Sequence, residues 1–489
     1  MKFKKVAIAN RGEVAVRIIK ACQALDIRSV LLHSSVDVSS LAHRLADETC
    51  EIGPAASKDS YLNIQANIAG AKKYGADAIH PGFGFLSENA DFAKACVDAG
   101  ITFIGPSEQS IRLFGDKISA KSLVEKVGVP CIPGYQGKKN DVATLRKEAE
   151  KIGYPVLVKA TSGGGGRGMK VIRNDDEAEE MIASAQREAI QAFGDERVFL
   201  EKYLAKPKHI EVQIFADYQG NVFHLFEREC SVQRRHQKII EEAGSASLSS
   251  ELQAKMTSAA MQIAKEASYQ GAGTIEFLLQ DEKFYFLEMN TRLQVEHPVT
   301  ELVTAKDLVM AQILTAAGED INWVQEDIKT QGHAIECRLY AEDAYSAGIP
   351  STGKILLQTF PAGKNKRYDY GFETGDTISP FYDSMVAKLI VWEPTRQEAI
   401  KEMLNVLEDT IVFGIKTNIP YLKAILKHPE FINSTMTTKF IETHFNEGIE
   451  ALPESKVDSE TLDLLYFNAS KGSLEQEESN PWAQAWRLP

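Results

Sequence analysis

Up to about Gly115 the chain alternates short apolar runs with amphipathic stretches, and this alternation restricts the fold more than any single motif. The runs Val6–Ala9, Ser29–His33, Ala78–His80 and Thr102–Ile104 are separated by helical patterns such as Glu13–Leu25 and Ile64–Tyr74. Strands joined through helices lie parallel, since a parallel pair needs a crossover that no tight turn supplies. A parallel α/β domain is therefore expected over 1–115. From Pro207 the rhythm changes: His209–Ala216, Val222–Arg228, Thr274–Gln280 and Lys283–Asn290 read as antiparallel strands, with a helix near Leu252–Tyr269.

A chain of 489 residues exceeds what one hydrophobic core usually serves. The expected division is an N-terminal domain at 1–115, a linking helix at 116–130, a small lid unit at 131–204, an antiparallel floor at 205–330, a C-terminal mixed unit at 331–448 and a tail at 449–489. In the lid unit, strand Val156–Lys159 leads into a glycine run, then strand Lys170–Arg173 and helix Asp175–Gln191. The C-terminal unit is expected to hold a strand at His333–Ala341 and a two-stranded stretch at Lys354–Phe360 and Lys388–Trp392.

A net charge of −13 argues against a general nucleic-acid binder, which needs a basic face to displace counterions. No run of eighteen apolar residues occurs, so no membrane span is expected. Six scattered cysteines without a CxxC pair suggest neither a zinc site nor a disulfide framework, and a reducing cytoplasm is the simplest compartment.

Gly163 to Gly166, followed by Arg167 and Gly168, lets main-chain N–H groups approach phosphate oxygens that a Cβ would block. A flexible surface hairpin is the alternative reading. Lys159, at the end of the preceding strand, places a cation where it could neutralise phosphate, and Lys117 opens the linking helix. Neither GxxxxGK[ST] nor a GxGxxG after a first strand is present, which disfavours P-loop and dinucleotide-binding enzymes.

A hairpin of Gly273–Leu279 and Phe284–Asn290, with its turn centred near Glu282, sets Glu276 directly against Glu288. Like charges opposed across strands are destabilising unless neutralised, and Mg²⁺ or Mn²⁺ bridging phosphate oxygens would do this. If the chain stays extended, Glu288, Asn290, Arg292, Gln294 and Glu296 share one face, while Met289, Thr291, Leu293 and Val295 take the other. Five polar groups in a row suggest substrate binding, although an ordinary half-exposed strand alternates in the same way. His209, Glu211 and Gln213 line one face of an earlier strand, and QRRHQK at Gln233–Lys238 reads either as a solvated charge run or as an anion pocket.

Together with IANRGE (Ile8–Glu13), HPGFGFLSENA (His80–Ala90), ERECSVQRRHQK (Glu227–Lys238), EMNTRLQVEHPVTE (Glu288–Glu301) and GHAIECR around Arg338, these features closely resemble biotin carboxylase of the ATP-grasp superfamily. The resemblance covers about residues 1–447. It implies an N-terminal domain, an ATP-grasp domain with a glycine lid and a C-terminal domain, which together carboxylate biotin with ATP and bicarbonate through carboxyphosphate. It also suggests the carboxylase subunit of an acetyl-, propionyl- or methylcrotonyl-CoA carboxylase or of pyruvate carboxylase.

On this resemblance, ATP is contacted by Lys117, Lys159, Gly165, Gly166, Glu201, Lys202, Leu204, His209, Gln233, His236, Glu276 and Glu288. In it, Glu201 and the neighbouring main chain read the adenine edge. Two magnesium or manganese ions are implied at Glu276, Glu288 and Asn290. Bicarbonate is held by Lys238, Arg292, Gln294 and Val295. Glu296 is the general base, and Arg338 stabilises the biotin enolate, with Lys238 and Arg292 also catalytic. Phe83 stands in the biotin pocket where the family commonly has tyrosine, which puts one hydrogen bond there in doubt.

The closing NPWAQAWRLP looks like the segment that follows this domain in α-subunits of propionyl- and methylcrotonyl-type carboxylases. A biotinyl domain would offer a Met-Lys-Met hairpin, and the only comparable string, Met169-Lys170-Val171, adjoins the glycine run. Biotin is therefore expected on a separate carrier protein or domain, with a carboxyltransferase subunit as further partner and a homodimer as the assembly.

Overall fold

A computed structural model describes residues 2–137, 139–161, 169–346, 348–446 and 448–449. The glycine run, with Gly165 and Gly166, and the tail from 450 onward lie outside the described residues.

The N-terminal unit contains a five-stranded parallel sheet in the spatial order Glu48–Gly53, Arg28–Ser34, Lys5–Ile8, Ala78–His80, Thr102–Phe103. The four apolar runs seen in the sequence are its strands. The fifth, Glu48–Gly53, escapes notice because Glu48 and Glu51 interrupt its apolar pattern. The sheet reverses direction of growth between Lys5–Ile8 and Ala78–His80, and loops at such a switch point gather ligand-facing residues. Here they carry Asn10, Phe83 and Glu88. Asn10 Nδ2 donates to the carbonyls of Pro81 (2.6 Å) and Phe83 (2.7 Å), and it fits because Gly82, at φ +62°, has no Cβ to meet it.

The linking helix is Lys117–Lys126, capped by Asp116, whose Oδ2 accepts from Ser119 N at 2.8 Å. The lid unit is a four-stranded antiparallel sheet, ordered Gly134–Tyr135, Val198–Lys202, Val156–Ala160, Met169–Ile172. Helices Val142–Ile152 and Ala178–Phe193 bury Leu145, Ile182 and Ala185 on Val156, Val158 and Leu200.

The remaining sequence is held by one eight-stranded antiparallel sheet. Its order is Lys283–Asn290, Gly271–Gln280, Lys208–Ala216, Val222–Arg234, Gln237–Ala243, His333–Tyr340, Met385–Glu393, Lys366–Tyr370. The strands of the C-terminal unit thus extend the floor's own sheet. The expected two-stranded stretch is corrected: Leu357–Thr359 pairs with Ile411–Phe413, while Met385–Glu393 lies between His333–Tyr340 and Lys366–Tyr370. Both runs are apolar enough to be strands, but nothing in their composition names a partner.

Strand alternation divides the floor into two faces. Ile210, Val212, Ile214, Ile275 and Phe277 pack with Met256 and Ile263 of helix Ser250–Glu266, whereas Glu211, Gln213, Thr274 and Glu276 face the other way. The seam between floor and C-terminal unit is fastened by buried Glu242. It accepts from Arg396 through both oxygens (2.7 and 2.9 Å) and lies 2.8 Å from His333 Nε2.

Burial alone would raise the pKa of Glu242, but His333 and Arg396 bring it down to about 2. A depressed carboxylate stabilises the fold above its ordinary titration range, and that contribution fades as pH falls through its folded value. Glu242→Gln should therefore cost about 2–4 kcal/mol near neutrality, because half-buried Arg396 is left against a neutral partner. The difference in unfolding midpoint from the unsubstituted protein should narrow as pH is lowered towards 2; a pH-independent difference would contradict this.

Candidate active site

The polar face of the eight-stranded sheet is organised around two buried cations. Arg228 is fully buried and uses all five N–H groups: Nε donates to Glu211 (2.5 Å), one terminal nitrogen to Gln213 (2.7 Å) and Thr300 (3.0 Å), and the other to Thr274 (3.1 Å) and Gln294 (2.7 Å). Lys238 Nζ donates to three carboxylates, those of Glu211, Glu276 (2.8 Å) and Glu296 (2.6 Å). Glu211 joins the two cations, and their charges hold its pKa far below the usual range despite burial.

The hairpin pairs Glu276 with Glu288 as expected, but by a different route. The turn is the two-residue Asp281-Glu282, both with positive φ (53° and 58°), so Gln280 pairs with Lys283 and Phe277 with Phe286. A bulge at Leu287 adds one residue and restores Glu276 against Glu288. Glu276 is pinned by Lys238, by Asn290 Nδ2 (2.9 Å) and by Gln294 Nε2 (3.0 Å), and His209 Nε2 lies 3.2 Å from it. Glu288, which stays accessible to solvent, has no such partner among the described residues, and partial desolvation together with the charge of Glu276 raises its pKa. A facing pair with one carboxylate left uncompensated suits a divalent cation.

The strand ends at Asn290 and does not stay extended to Glu296, which caps helix His297–Thr304 instead. The polar row nevertheless converges. Arg292 donates to Asn290 Oδ1 (2.8 Å), Gln294 bridges Arg228 and Glu276, and Glu296 lies between Lys238 and Arg338. Val295 presents its carbonyl to buried Lys388 (2.8 Å). Arg338 donates to Glu241 (2.6 Å) and Glu296 (3.0 Å). Burial would protonate Glu296, but Lys238 and Arg338 depress its pKa and keep it a carboxylate.

Gln233–Lys238 folds as a hairpin end: Arg234 pairs with Gln237 across Arg235 and His236, which both have positive φ. The turn carries His236 to a cavity of about 490 Å³ that Lys159, His209, Gln233, Leu278 and Leu287 also line. Burial would deprotonate His209, but Glu276 and Glu211 lift its pKa to about 9. The Gln233 amide lies 2.9 Å from its Nδ1. Lys159 (2.6 Å) and Lys121 (2.5 Å) both donate to Glu201, so this carboxylate anchors the lysine beside the glycine run. Lys202 Nζ turns away to the carbonyls of Gly153 and Tyr154 (2.7 and 3.0 Å), and Leu204 follows the strand's end. Lys117, at the first turn of the linking helix, acts on Glu288 through its charge. The Phe83 ring lies 6.0 Å from Lys388 Nζ, and Lys388 pairs in register with Arg338.

Several residues of this centre were not singled out as site residues in the sequence. Arg228 and Glu241 lie in strands Val222–Arg234 and Gln237–Ala243, and their burial follows from contacts with segments distant in sequence. Glu88, inside HPGFGFLSENA, accepts from Thr291 N (3.0 Å) and Arg292 Nε (2.8 Å), a contact spanning about two hundred positions that no local pattern could disclose. Ile441 and Glu442, from the C-terminal helix Phe440–His444, close one side of the cavity.

Comparisons with known proteins agree along the chain. Residues 2–111 match the family model "Biotin carboxylase, N-terminal domain", 116–324 match "Carbamoyl-phosphate synthase L chain, ATP binding domain" and 336–443 match "Biotin carboxylase C-terminal domain". Biotin carboxylase of Haemophilus influenzae is 50% identical over 441 residues, covering 90% of this chain and 98% of that protein. The mitochondrial methylcrotonoyl-CoA carboxylase subunit alpha of Dictyostelium discoideum is 45% identical over 486 residues, covering 98% of this chain and 69% of that subunit. Among solved structures, the biotin carboxylase domain dimer of Hydrogenobacter thermophilus 2-oxoglutarate carboxylase, in complex with MgADP, ADP and bicarbonate, superposes with a TM-score of 0.84 at 45% identity. It spans 91% of this chain and 98% of that one. With carboxylase-specific sequence on both sides of an ATP-grasp floor, and half its residues shared with an enzyme it matches almost end to end, this chain belongs to the biotin carboxylase family.

Proposed function

We propose that the chain carboxylates biotin presented by a separate carrier protein, using ATP and bicarbonate and passing through carboxyphosphate. This is the first half-reaction of a biotin-dependent carboxylase. The observation that carries the proposal is the placement of Glu296 between Lys238 and Arg338, next to the opposed pair Glu276 and Glu288. A base, an anion-binding cation and a cation-binding pair therefore share one sheet face. The rival within the superfamily, a carbamoyl-phosphate-forming ligase, is favoured only by the name of the shared ATP-binding model, and the flanking domains match biotin carboxylase.

In this proposal Lys238, Arg292, Gln294 and the main chain at Val295 hold bicarbonate, and Glu296 takes its proton as the oxygen attacks the γ-phosphorus, breaking the bond to the bridging oxygen so that ADP leaves and carboxyphosphate forms. The cations that keep Glu296 ionised also stabilise the charge left on the substrate. The nucleotide occupies the cavity of Lys159, His209, Gln233 and His236, with Leu278 and Leu287 offering apolar surface to the base and Glu201 fixing Lys159. Glu276 and Glu288, with Asn290, would hold magnesium or manganese, which neutralises phosphate charge. Gly165 and Gly166, outside the described residues, are the phosphate cover that the family resemblance implies, and exclusion of water would protect carboxyphosphate. Carboxyphosphate breaks into CO₂ and phosphate, the phosphate takes the ureido N1 proton of biotin, Arg338 stabilises the resulting enolate beside Phe83, and N1 attacks CO₂ to form the N–C bond of carboxybiotin.

The proposed units are the N-terminal domain (1–115), linking helix, lid, floor and C-terminal domain described in the sequence. The proposed setting is the cytoplasm, as a homodimer working with a carrier protein and a carboxyltransferase subunit. All six cysteines are unpaired, in keeping with a reducing compartment.

Phosphate release from ATP should depend on bicarbonate and be stimulated by free biotin; absence of biotin stimulation would reject the proposal. Glu296→Ala should retain ATP binding but lose bicarbonate-dependent turnover by at least ~10²-fold, and near-normal turnover would remove Glu296 from the base role. Glu88→Ala frees Arg292 from its tether and should raise KM for bicarbonate about tenfold or more while changing kcat less. An unchanged KM would make that contact purely structural.

A further inference from the structure

Arg338 is held from behind by a feature that the proposed chemistry leaves unused. Glu241 and Glu336 are directly opposed across neighbouring antiparallel strands, on the face that carries Arg338, and both are fully buried. Glu241 uses one oxygen for Arg338, while its other oxygen and both oxygens of Glu336 have no hydrogen-bond partner among the described residues. Two carboxylates facing each other out of water cannot both remain ionised without compensating charge. The surrounding charges do not supply it. Lys238 is set against Glu211, Glu276 and Glu296, while Lys388 lies 3.2 Å from Glu13 and 3.5 Å from Asp369. Arg338, itself shared with Glu296, is the cation bonded to the pair, and the charge of Lys388, which also reaches Glu336, is divided with Glu13 and Asp369.

We propose that Glu241 and Glu336 share one proton: Glu336 donates its O–H to the free oxygen of Glu241, and the pair presents a single negative charge to Arg338. The bond satisfies two of the orphaned oxygens together. It fixes the Glu241 carboxylate that orients Arg338 and prevents a second negative charge from cancelling the guanidinium's field towards the substrate. Both groups are thereby positioning residues. The charges facing them are Arg338 on the strand of Glu336, Lys388 on the next strand, and Glu296 and Lys238 from the site itself. Burial, helped by the charge of Glu296, pushes the pKa of Glu336 well above the carboxylate range and that of Glu241 to about 7, against the lowering pull of the neighbouring cations. As pH rises and the proton is lost, two charges would oppose one guanidinium and weaken its hold on the enolate.

This inference rests on the proposed role of Arg338, but its central test does not. Infrared spectra of the full chain at neutral pH should show the carbonyl band of a buried protonated carboxylic acid that is lost in Glu336→Gln. That variant mimics the protonated form, so it should keep kcat/KM for free biotin within about threefold at neutral pH. Its loss of activity at alkaline pH should be smaller than that of the unsubstituted enzyme by about tenfold. Glu241→Gln should instead lower kcat/KM for biotin about 10²-fold at every pH. If Glu336→Gln does not fold, Glu336→Met should also lose the band and soften the alkaline fall, but with the donor gone its kcat/KM for biotin should drop about tenfold at neutral pH. The proposal is overturned if no acid band is present at neutral pH, if the band persists in the Glu336 variants, or if their alkaline fall matches that of the unsubstituted enzyme. Lack of biotin-dependent turnover in the unsubstituted enzyme would count against the proposed function while leaving the infrared result to decide proton sharing.

Discussion

A guanidinium without access to water must find an acceptor for every N–H, and Arg228 meets this demand by drawing on five side chains from four segments of the chain. Two strands contribute Glu211, Gln213 and Thr274, while Gln294 and Thr300 come from the loop and helix that follow the hairpin. Satisfying Arg228 therefore fixes the faces of those strands and the path of the chain beyond Asn290. Gln294 is then oriented at both ends, with its oxygen on Arg228 and its nitrogen on Glu276. Lys238 adds a second centre through the shared Glu211. Most of the reactive groups are placed by side chains that need not touch substrate.

What could be read in the sequence was what depends on short-range periodicity. The parallel N-terminal strands, the capped linking helix and the opposition of Glu276 to Glu288 all follow from spacing over a few residues. The hairpin is instructive because the pairing was reached with a turn placed half a residue away and with no bulge; the two differences offset each other. The polar row from Glu288 to Glu296 was identified by alternation, yet the chain leaves the strand at Asn290 and the row is assembled by hydrogen bonds instead.

What could not be read depends on contacts between distant segments. Glu88 reaches Arg292 from the loop that follows strand Ala78–His80, and the partner of Met385–Glu393 is chosen by sheet order rather than by its own residues. The same holds for the eight-stranded sheet, which carries floor and C-terminal unit without a break. Because Gln237–Ala243 and His333–Tyr340 are hydrogen-bonded neighbours, Lys238 and Arg338 are referred to one rigid surface although about a hundred residues separate them. A site split across hinged domains would have to reassemble its charges at each closure, whereas here Lys238 and Arg338, between which Glu296 lies, stand on adjacent strands of one sheet.

The bulge at Leu287 resolves a conflict between two chemistries. In a regular strand consecutive side chains point to opposite faces, so an apolar wall and an acidic group at adjacent positions would be sent to different sides of the sheet. One added residue places Leu287 against the cavity while Glu288 faces Glu276. An apolar wall for the cavity and a carboxylate for the opposed acidic pair thus come from adjacent residues. A single-residue deletion there would leave the sheet paired and strip it of one of these two functions, which makes the irregularity in the strand as much a part of the site as the side chains around it.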